Sequence, residues 1–261
     1  MFGKLISFNI KNSINSASGG IITDIPGYRV HTFNSTGTFI ITNTTSVEYL
    51  IVAGGGGNGD SNITRGGCGA GGMLVGSTTL SPGVYTIVVG AGGGRSNGSD
   101  SSISSVASAT GGGRGGYGSS GASTVGSNGG SGGGGTGTTG GANGGSGIPG
   151  QGKNGAASGG NTSGGGGGGA GSAGKNPNPS SGYVSGGNGL QSSINGTVTY
   201  YAGGVGASIN SYINLGGLGG GGGNDSTTLT TGLNGAPNTG GGAAGGRTAN
   251  FNSSGGSGIV I

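Results

Sequence analysis

The chain has 261 residues, of which 80 are glycine, and it carries no tryptophan, one cysteine and a formal net charge of +4. Leu, Ile, Val and Phe make up about 17% of the residues, which is below the usual globular range and excludes a large hydrophobic core as the main source of stability. The basic residues are scattered without any run of Lys or Arg, which excludes the clustered cations that nucleic-acid binding needs.

The N-terminal segment, residues 1–20, reads MFGKLISFNIKNSINSASGG. Its apolar run is interrupted by Asn9 and Lys11 and is followed by no small-residue cleavage site. We therefore expect neither a secretory signal peptide nor a membrane span, and we interpret the segment as one for attachment or assembly. The single cysteine, Cys68, excludes an internal disulfide, and we expect it to be a small apolar filler.

Residues 21–110 contain short stretches in which apolar and polar side chains alternate. GYRVHTFNSTGTFIITN alternates on both sides of an STG turn, and GMLVGSTTLSPGVYTIVVG does so around an SPG turn. Each pattern predicts a hairpin of two strands, and VEYLIVA at 47–53 predicts a further strand. No apolar pattern with a period of 3.6 residues is present, so we predict a small β-sandwich or roll with essentially no helix.

Three of these aliphatic stretches run directly into glycine: VEYLIVAGGGG at 47–57, VYTIVVGAGGG at 84–94 and TVTYYAGGVG at 197–206. At each join the chain loses the side chains that pack a sheet. The sequence therefore indicates that each strand leaves the sandwich and enters a region with room only for backbone.

Residues 111–257 are rich in Gly and Ser, a composition typical of flexible linkers. A local glycine repeat of three residues, as in GGRGGY at 112–117, favours order instead, because three residues per turn is the period of polyproline II. Such a helix makes no internal hydrogen bonds, so its N–H and C=O groups must bond to neighbouring chains. We predict a bundle of polyglycine II rods over 111–257, followed by a strand at 258–261 that returns to the β unit.

The ordered succession YRVHTFNSTGTFII, VEYLIVAGGGG, GAGGMLVG, LSPGVYTIVVGAGG, SSISSVASATGGGRGG and GGSGIVI resembles the glycine-rich domain of bacteriophage and other viral structural proteins, especially tail-fibre and tail-tip proteins. The likeness covers roughly residues 20–261. The glycine-rich part is also similar, more loosely, to the polyglycine bundles of T-even-type tail-fibre-tip adhesins. Residues 1–20 match neither.

The resemblance implies a non-enzymatic structural protein on the exposed surface of a virion. Its implied partners are other fibre or capsid proteins and a host-surface polysaccharide or outer-membrane protein. Whether the chain forms a homo-oligomer is left open by the resemblance. The alternative is a secreted or cell-surface glycine-rich material, either a filament subunit or an ice-binding protein. The absence of a signal peptide favours the virion, and the threonines are clustered rather than arranged in the row that ice binding needs.

Two stretches match catalytic or nucleotide-binding motifs in form only. GAGSAGKN at 169–176 resembles a phosphate-binding loop, but Asn176 stands where a Ser or Thr would meet Mg²⁺ and no helix pattern follows. GGSGG at 129–133 formally fits a nucleophile elbow, yet the only histidine, His31, lies in a predicted strand. Asp and Glu total 5, too few for calcium repeats or a pair of catalytic carboxylates. We predict no catalytic residue, no metal site and no cofactor.

Three segments have side chains too varied for a glycine bundle, and we predict that they are loops joining rods: KNPNPSSGYV at 175–184, ASINSYINL at 207–215 and DSTTLTTGLN at 225–234. Either they only connect rods, or they bind a host receptor through exposed apolar side chains. The candidate receptor-binding residues are Tyr183, Val184, Tyr212, Ile213, Leu215, Leu229 and Leu233. Arg114, Tyr117 and Arg247 are interpreted as side chains on the outside of rods.

Overall fold

The computed structural model describes residues 16–58, 64–118, 123–137, 140–159, 163–177, 183–207, 213–223, 233–244 and 253–261. Over these ranges the protein is all-β and has no helix, as the sequence predicts. The strands are, in chain order, β1 (Ala17–Ser18), β2 (Ile21–Ile25), β3 (Tyr28–Thr32), β4 (Gly37–Ile41), β5 (Thr45–Val52), β6 (Thr64–Arg65), β7 (Met73–Leu80), β8 (Gly83–Val88), β9 (Ser101–Ile103), β10 (Ala107–Ala109), β11 (Tyr117–Gly118), β12 (Thr136–Gly137), β13 (Ser163–Gly164), β14 (Tyr183–Ser185), β15 (Leu190–Ser192), β16 (Thr199–Tyr201), β17 (Ile213–Leu215) and β18 (Ile259–Val260).

Two antiparallel sheets form a sandwich. One has the strand order β1-β4-β8-β9-β10 and the other the order β18-β5-β7. Ile87 and Ile103 of the first sheet pack against Ile51 and Val260 of the second in one buried cluster. The core between the sheets is therefore small and built from aliphatic side chains of both.

Strand β5 is buried on both faces at its C-terminal end. Ile51 points into the sandwich, whereas Leu50 and Val52 point the opposite way, because successive side chains of a strand alternate. On that second face they pack with Val30 of β3 and Tyr201 of β16. The hairpins β2–β3 and β15–β16 thus cover the outer side of the three-stranded sheet, and the strand predicted over 47–53 is confirmed as its centre.

The pairing of both predicted hairpins is wrong. Strand β3 pairs with β2, whereas β4 pairs with β1 and β8. Strand β7 pairs with β5, and β8 pairs with β4 and β9. At each predicted turn the chain passes from one sheet to another. Two strands that face each other across a core show the same alternation as two strands that are hydrogen-bonded, so the pattern alone does not separate the two arrangements.

The C-terminal residues return to the sandwich, as predicted. In β18, Ile259 lies opposite Val52 and Val260 opposite Ile51. Ile261 and Leu50 exchange two backbone hydrogen bonds, both of 2.9 Å. Ile259, Val260 and Ile261 are all buried, so the end of the chain completes the sheet and fills its core.

The glycine-rich segments and the sandwich alternate along the chain. Segments 53–58 and 66–72 lie before residue 110, yet Gly55 donates to the carbonyl of Gly256 at 3.0 Å and Gly67 to that of Gly165 at 2.9 Å. Early and late glycine-rich segments therefore form one body. The predicted boundary near residue 110 marks a shift in composition and does not separate the sandwich from the bundle.

Backbone hydrogen bonding in this bundle repeats every three residues. Every third N–H of segment 66–72 donates to segment 110–116, at 2.8 to 2.9 Å: Gly66 to Gly116, Gly69 to Gly113 and Gly72 to Thr110. Gly67 and Ala70, again three residues apart, donate to Gly165 and Gly168 of a second neighbour. Each of these two neighbours therefore faces one side of segment 66–72.

Segment 66–72 is surrounded by six others. Its N–H groups donate to segments 110–116 and 165–168 and to Gly240, and its carbonyls accept from segments 53–56 and 131–134 and from Val205. All residues from 66 to 72 are buried. Since backbone surrounds this segment on every side, hydrogen bonds rather than apolar side chains hold the centre of the bundle together.

We expect the glycine-rich segments to adopt the polyglycine II conformation, with φ near −75° and ψ near +145°. The three-residue period of the hydrogen bonds is the period of such rods, and the conformation itself stays a prediction. Backbone torsions from NMR chemical shifts of the glycine Cα and carbonyl carbons would measure it. Extended β or helical torsions over most of segments 66–72 and 131–136 would contradict it.

Candidate functional site

The glycine-rich segments run between the sandwich and an end of the bundle that lies away from it. Segment 53–58 continues β5 outward, and segment 66–72 returns to β7. Asn58 and Gly66 are therefore the residues of these two segments that lie farthest from the sheets. The end of the bundle at the level of Asn58 and Gly66 is called the distal end below, and the opposite end is the sandwich end.

The described residues beside the first two candidate loops lie at the distal end. The carbonyl of Lys175 accepts from Gly166 at 3.0 Å, and the adjacent Gly165 accepts from Gly67. Just before the second loop, Val205 donates to the carbonyl of Cys68 at 3.1 Å. Both loops therefore begin beside the outer half of segment 66–72.

The residues beside the third candidate loop lie on the same side of the bundle. The carbonyl of Leu233 accepts from Ala244 at 2.9 Å, and the preceding residue, Ala243, donates to Gly56 at 3.0 Å. Gly56 lies two residues from Asn58 in the outer half of its segment. The described residues at the margins of all three predicted loops thus lie at the distal end, which sequence spacing alone does not reveal.

The structure brings two of the candidate residues together. Strands β14 and β17 pair in parallel, with Tyr183 opposite Ile213 and Ser185 opposite Leu215. Leu215, at the end of the second loop, is 39% exposed, and Leu233, near the end of the third, is 44% exposed. These two leucines have the exposure that a contact residue requires.

Val184 does not fit its assigned role. Its side chain is 1% exposed and packs against Ala207 in a small buried cluster. It therefore anchors the strand pair and offers no contact surface. Tyr212 and Leu229 lie outside the described residues, as do 178–182, 208–211 and the whole of 225–232.

Arg114 and Tyr117 form a pair at the distal end. From the sequence alone, they are interpreted only as side chains on the outside of rods. The Arg114 Cζ lies 4.3 Å from the centroid of the Tyr117 ring, within the range of a cation–π interaction. Tyr117 is also paired with Arg65 in the short sheet β6–β11. The spacing in GGRGGY contains this signal, because residues three apart would fall on one side of the predicted polyglycine II rod.

The stretches that match catalytic or nucleotide-binding motifs lack the surroundings that the chemistry needs. Ser131 of GGSGG is fully buried, and its Oγ has no hydrogen-bond partner. Segment 169–176 contains bends and no helix. Within the described ranges, no group of three or more His, Cys, Asp or Glu is placed to hold a metal ion, and no helix has the length and apolar character to cross a membrane.

An open cleft of about 950 Å³ lies at the sandwich end, between the β2–β3 hairpin and the two sheets. His31 lines it, and its Nδ1 is 2.7 Å from the carbonyl oxygen of Gly19 while its ring packs edge-on against Phe39. These two contacts fix the orientation of the imidazole. We assign no reaction to this cleft.

A family model described as a glycine-rich domain matches residues 32–261. The match includes the sandwich strands from β4 onward and the whole of the described bundle. Comparison with curated proteins and with solved structures gave no match.

Proposed function

We propose that this chain, which belongs to the glycine-rich domain family, is a non-enzymatic structural protein of a virus particle. In this proposal it forms the tip of a tail fibre or a spike on the capsid. It is exposed on the particle surface and binds the host through loops at the distal end of the bundle. Its partners are other virion proteins and a host-surface polysaccharide or outer-membrane protein.

One observation carries the proposal: the described residues at the margins of the candidate binding loops lie at the opposite end of the molecule from the two ends of the described chain. Ser16 accepts through its carbonyl from Thr42 at 2.8 Å, and Ile261 is bonded to Leu50, so both belong to the sandwich. Residues 16–20, the described part of the proposed attachment segment, lie at the sandwich end. A protein held there would present the three loops outward.

The construction of the bundle suits an exposed adhesin. Six neighbours around a central segment leave each rod little freedom, and a loop on such a scaffold loses less entropy when it binds. The small net charge of +4 over 261 residues limits indiscriminate adsorption to charged surfaces. Specific recognition would then depend on the side chains of the loops.

Immunogold labelling of purified virus particles tests the assignment to the virion. We expect gold particles at the fibre tips or on capsid spikes, because the proposed location is exposed. Pre-immune serum and particles that lack the protein are the controls. Label on the cell envelope and none on the particles would contradict the proposal and favour a cell-surface glycine-rich material.

Replacing both Tyr183 and Tyr212 by alanine is expected to lower attachment of particles to host cells by about tenfold or more, since tyrosines are frequent hot spots of binding. The melting temperature of the purified protein should not change. The matched control replaces Tyr200, an exposed tyrosine at the sandwich end, by alanine. If the variant particles attach as well as unmodified particles do, the loops that contain Tyr183 and Tyr212 do not form the receptor-binding site.

A further inference from the structure

A gap between β3 and β5 lies in line with β18. Val260 of β18 lies between these two strands, because it exchanges hydrogen bonds of 2.8 and 3.1 Å with Phe33, just after β3, and is paired with Ile51 of β5. Beyond β18, residues 28–31 of β3 and 45–49 of β5 line the open cleft of about 950 Å³ at the sandwich end. The space between these two stretches is called the β3–β5 gap below.

Both walls of the gap direct backbone hydrogen-bonding groups into it. Phe33 and Leu50, on the two sides of the C-terminal residues, each exchange two backbone hydrogen bonds with them. The backbone groups of every second residue of a strand point to the same side, so those of His31 and Glu48 point into the gap. In the described part of the chain, β3 pairs as a strand with β2, and β5 with β7 and β18. No described strand therefore bonds to the backbone groups that line the gap.

The gap is apolar on its inner side and polar on its outer side. Ile103 and Val106 line the inner side, where they belong to the core of the sandwich. Tyr49 packs toward the same core, so its neighbour Glu48 points outward. There the Tyr28 hydroxyl donates across the gap to the Glu48 Oε1 at 3.5 Å. A strand that fills the gap therefore needs apolar side chains on one face and small polar side chains on the other.

Residues 6–10 of the N-terminal segment have this pattern. They read ISFNI, in which three large apolar residues alternate with Ser7 and Asn9. In a strand, the apolar residues would occupy one face and the two small polar residues the other. The stretch also has the length of the β5 wall, residues 45–49.

The N-terminal segment joins the fold beside the gap. The Ser16 Oγ is 3.1 Å from the Oγ1 of Thr45, the first residue of the β5 wall. Ser16 belongs to the other sheet through Thr42, and packed sheets lie about 10 Å apart. Residues 11–15 span up to about 17 Å when extended, so they can connect Ser16 with the gap. A segment that leaves the gap beside Thr45 runs antiparallel to β5.

We infer that residues 6–10 fill the β3–β5 gap as a strand that continues the line of β18, antiparallel to β5. Phe8 lies opposite Val47 and points to the core of the sandwich, since opposite residues of an antiparallel pair share a face. Ser7 and Asn9 point outward, beside the contact between Tyr28 and Glu48. The inference goes beyond the proposed function and holds whether or not the chain belongs to a virus particle.

The chain's own segment is favoured over a strand from a second copy or from another protein. A short linker gives the tethered segment an effective concentration on the order of millimolar. A separate chain would compete only at a similar concentration. The five residues between the stretch and Ser16 are such a linker, and they begin where the gap is open.

Hydrogen exchange followed by NMR on the full chain tests the inference. We expect slow exchange of the N–H groups of His31 and Glu48 in the unmodified chain, because a strand in the gap accepts hydrogen bonds from both. Phe8→Ser should speed both exchange rates by about tenfold or more, since it removes the central apolar side chain of the stretch. Fast exchange of both groups in the unmodified chain would overturn the inference.

The matched control is Phe2→Ser, the same change outside residues 6–10, and it should alter the two exchange rates by less than about twofold. The N–H of Val47, which faces β7, reports whether β5 stays folded and should exchange slowly in every variant. If Phe8→Ser does not fold, Ile10→Ser takes its place. Equal effects of Phe2→Ser and Phe8→Ser would refute a specific strand, because the position in the alternation would then not matter.

Dilution identifies the chain that supplies the strand. We expect the exchange rates of His31 and Glu48 to stay the same when the protein is diluted, because the strand is tethered to its own gap. Light scattering measures the oligomeric state of the same samples. Protection that is lost as an oligomer dissociates would contradict the inference and assign the strand to a second copy. No virus particle enters these measurements, so their outcome is separate from that of the proposed function.

Discussion

Replacing Gly67 by alanine is expected to destabilise the protein by about 4 kcal/mol or more, near the upper limit for single substitutions. A Cβ at Gly67 would overlap the carbonyl oxygen of Val205 and lie 2.8 Å from the nitrogen of Gly167. Both are backbone atoms of segments that are themselves hydrogen-bonded to further segments, so neither can move alone. Because domains are stable by only about 5–15 kcal/mol, most of the variant should be insoluble or unfolded.

The matched control is Gly94→Ala. A Cβ at Gly94 would have no atom within 4 Å, and its backbone is outside the left-handed region. The control should be neutral or more stable by up to about 1 kcal/mol, since alanine restricts the unfolded chain. Soluble yield and thermal unfolding followed by circular dichroism measure both variants. If the Gly67→Ala protein has the same melting temperature as the unmodified protein, the backbone at the centre of the bundle is not close-packed.

Deleting residues 259–261 is expected to lower the melting temperature by about 10 °C or more. The three buried aliphatic side chains contribute on the order of 5 kcal/mol by their area. Their removal also leaves the N–H of Phe33 and both backbone groups of Leu50 without the partners that they have in β18 and Ile261.

The control for this deletion is Val198→Ala, which shortens an aliphatic side chain that is 65% exposed in the β15–β16 turn. It should melt within about 2 °C of the unmodified protein, since exposed substitutions change stability little. Differential scanning calorimetry measures both proteins. A deletion variant that melts no earlier than the Val198→Ala protein would show that the closing strand contributes nothing to stability.

Local patterns in the sequence predict local structure well in this chain. The alternation of VEYLIVA predicts β5, the absence of a 3.6-residue period predicts the absence of helix, and the isolated cluster at 259–261 predicts a closing strand. The glycine spacing of GGRGGY predicts a period of three. Each of these features depends on residues within one short window, which is the range over which side-chain sterics and periodicity act.

The sequence does not predict which segments meet. Strands β3 and β4 have the pattern of a hairpin and belong to different sheets, because a strand facing its neighbour across a core alternates in the same way. The same limit applies to the site. The sequence groups Val184 with Tyr183 by proximity, whereas its burial depends on Ala207, and nothing in the sequence shows that the residues at the margins of the three loops lie at one end.

The hydrogen bonds between segments 53–58 and 253–256 affect how the protein folds during translation. Gly55 and Asn58 leave the ribosome about 200 residues before their partners Gly256 and Ser253. The first glycine-rich segment must therefore wait for the synthesis of this long stretch before its surroundings are complete, and long-range contacts of this kind slow folding. Nascent chains would need protection from aggregation during that interval, and a stop codon at position 253 would leave the N–H groups of Gly55 and Asn58 without their partners.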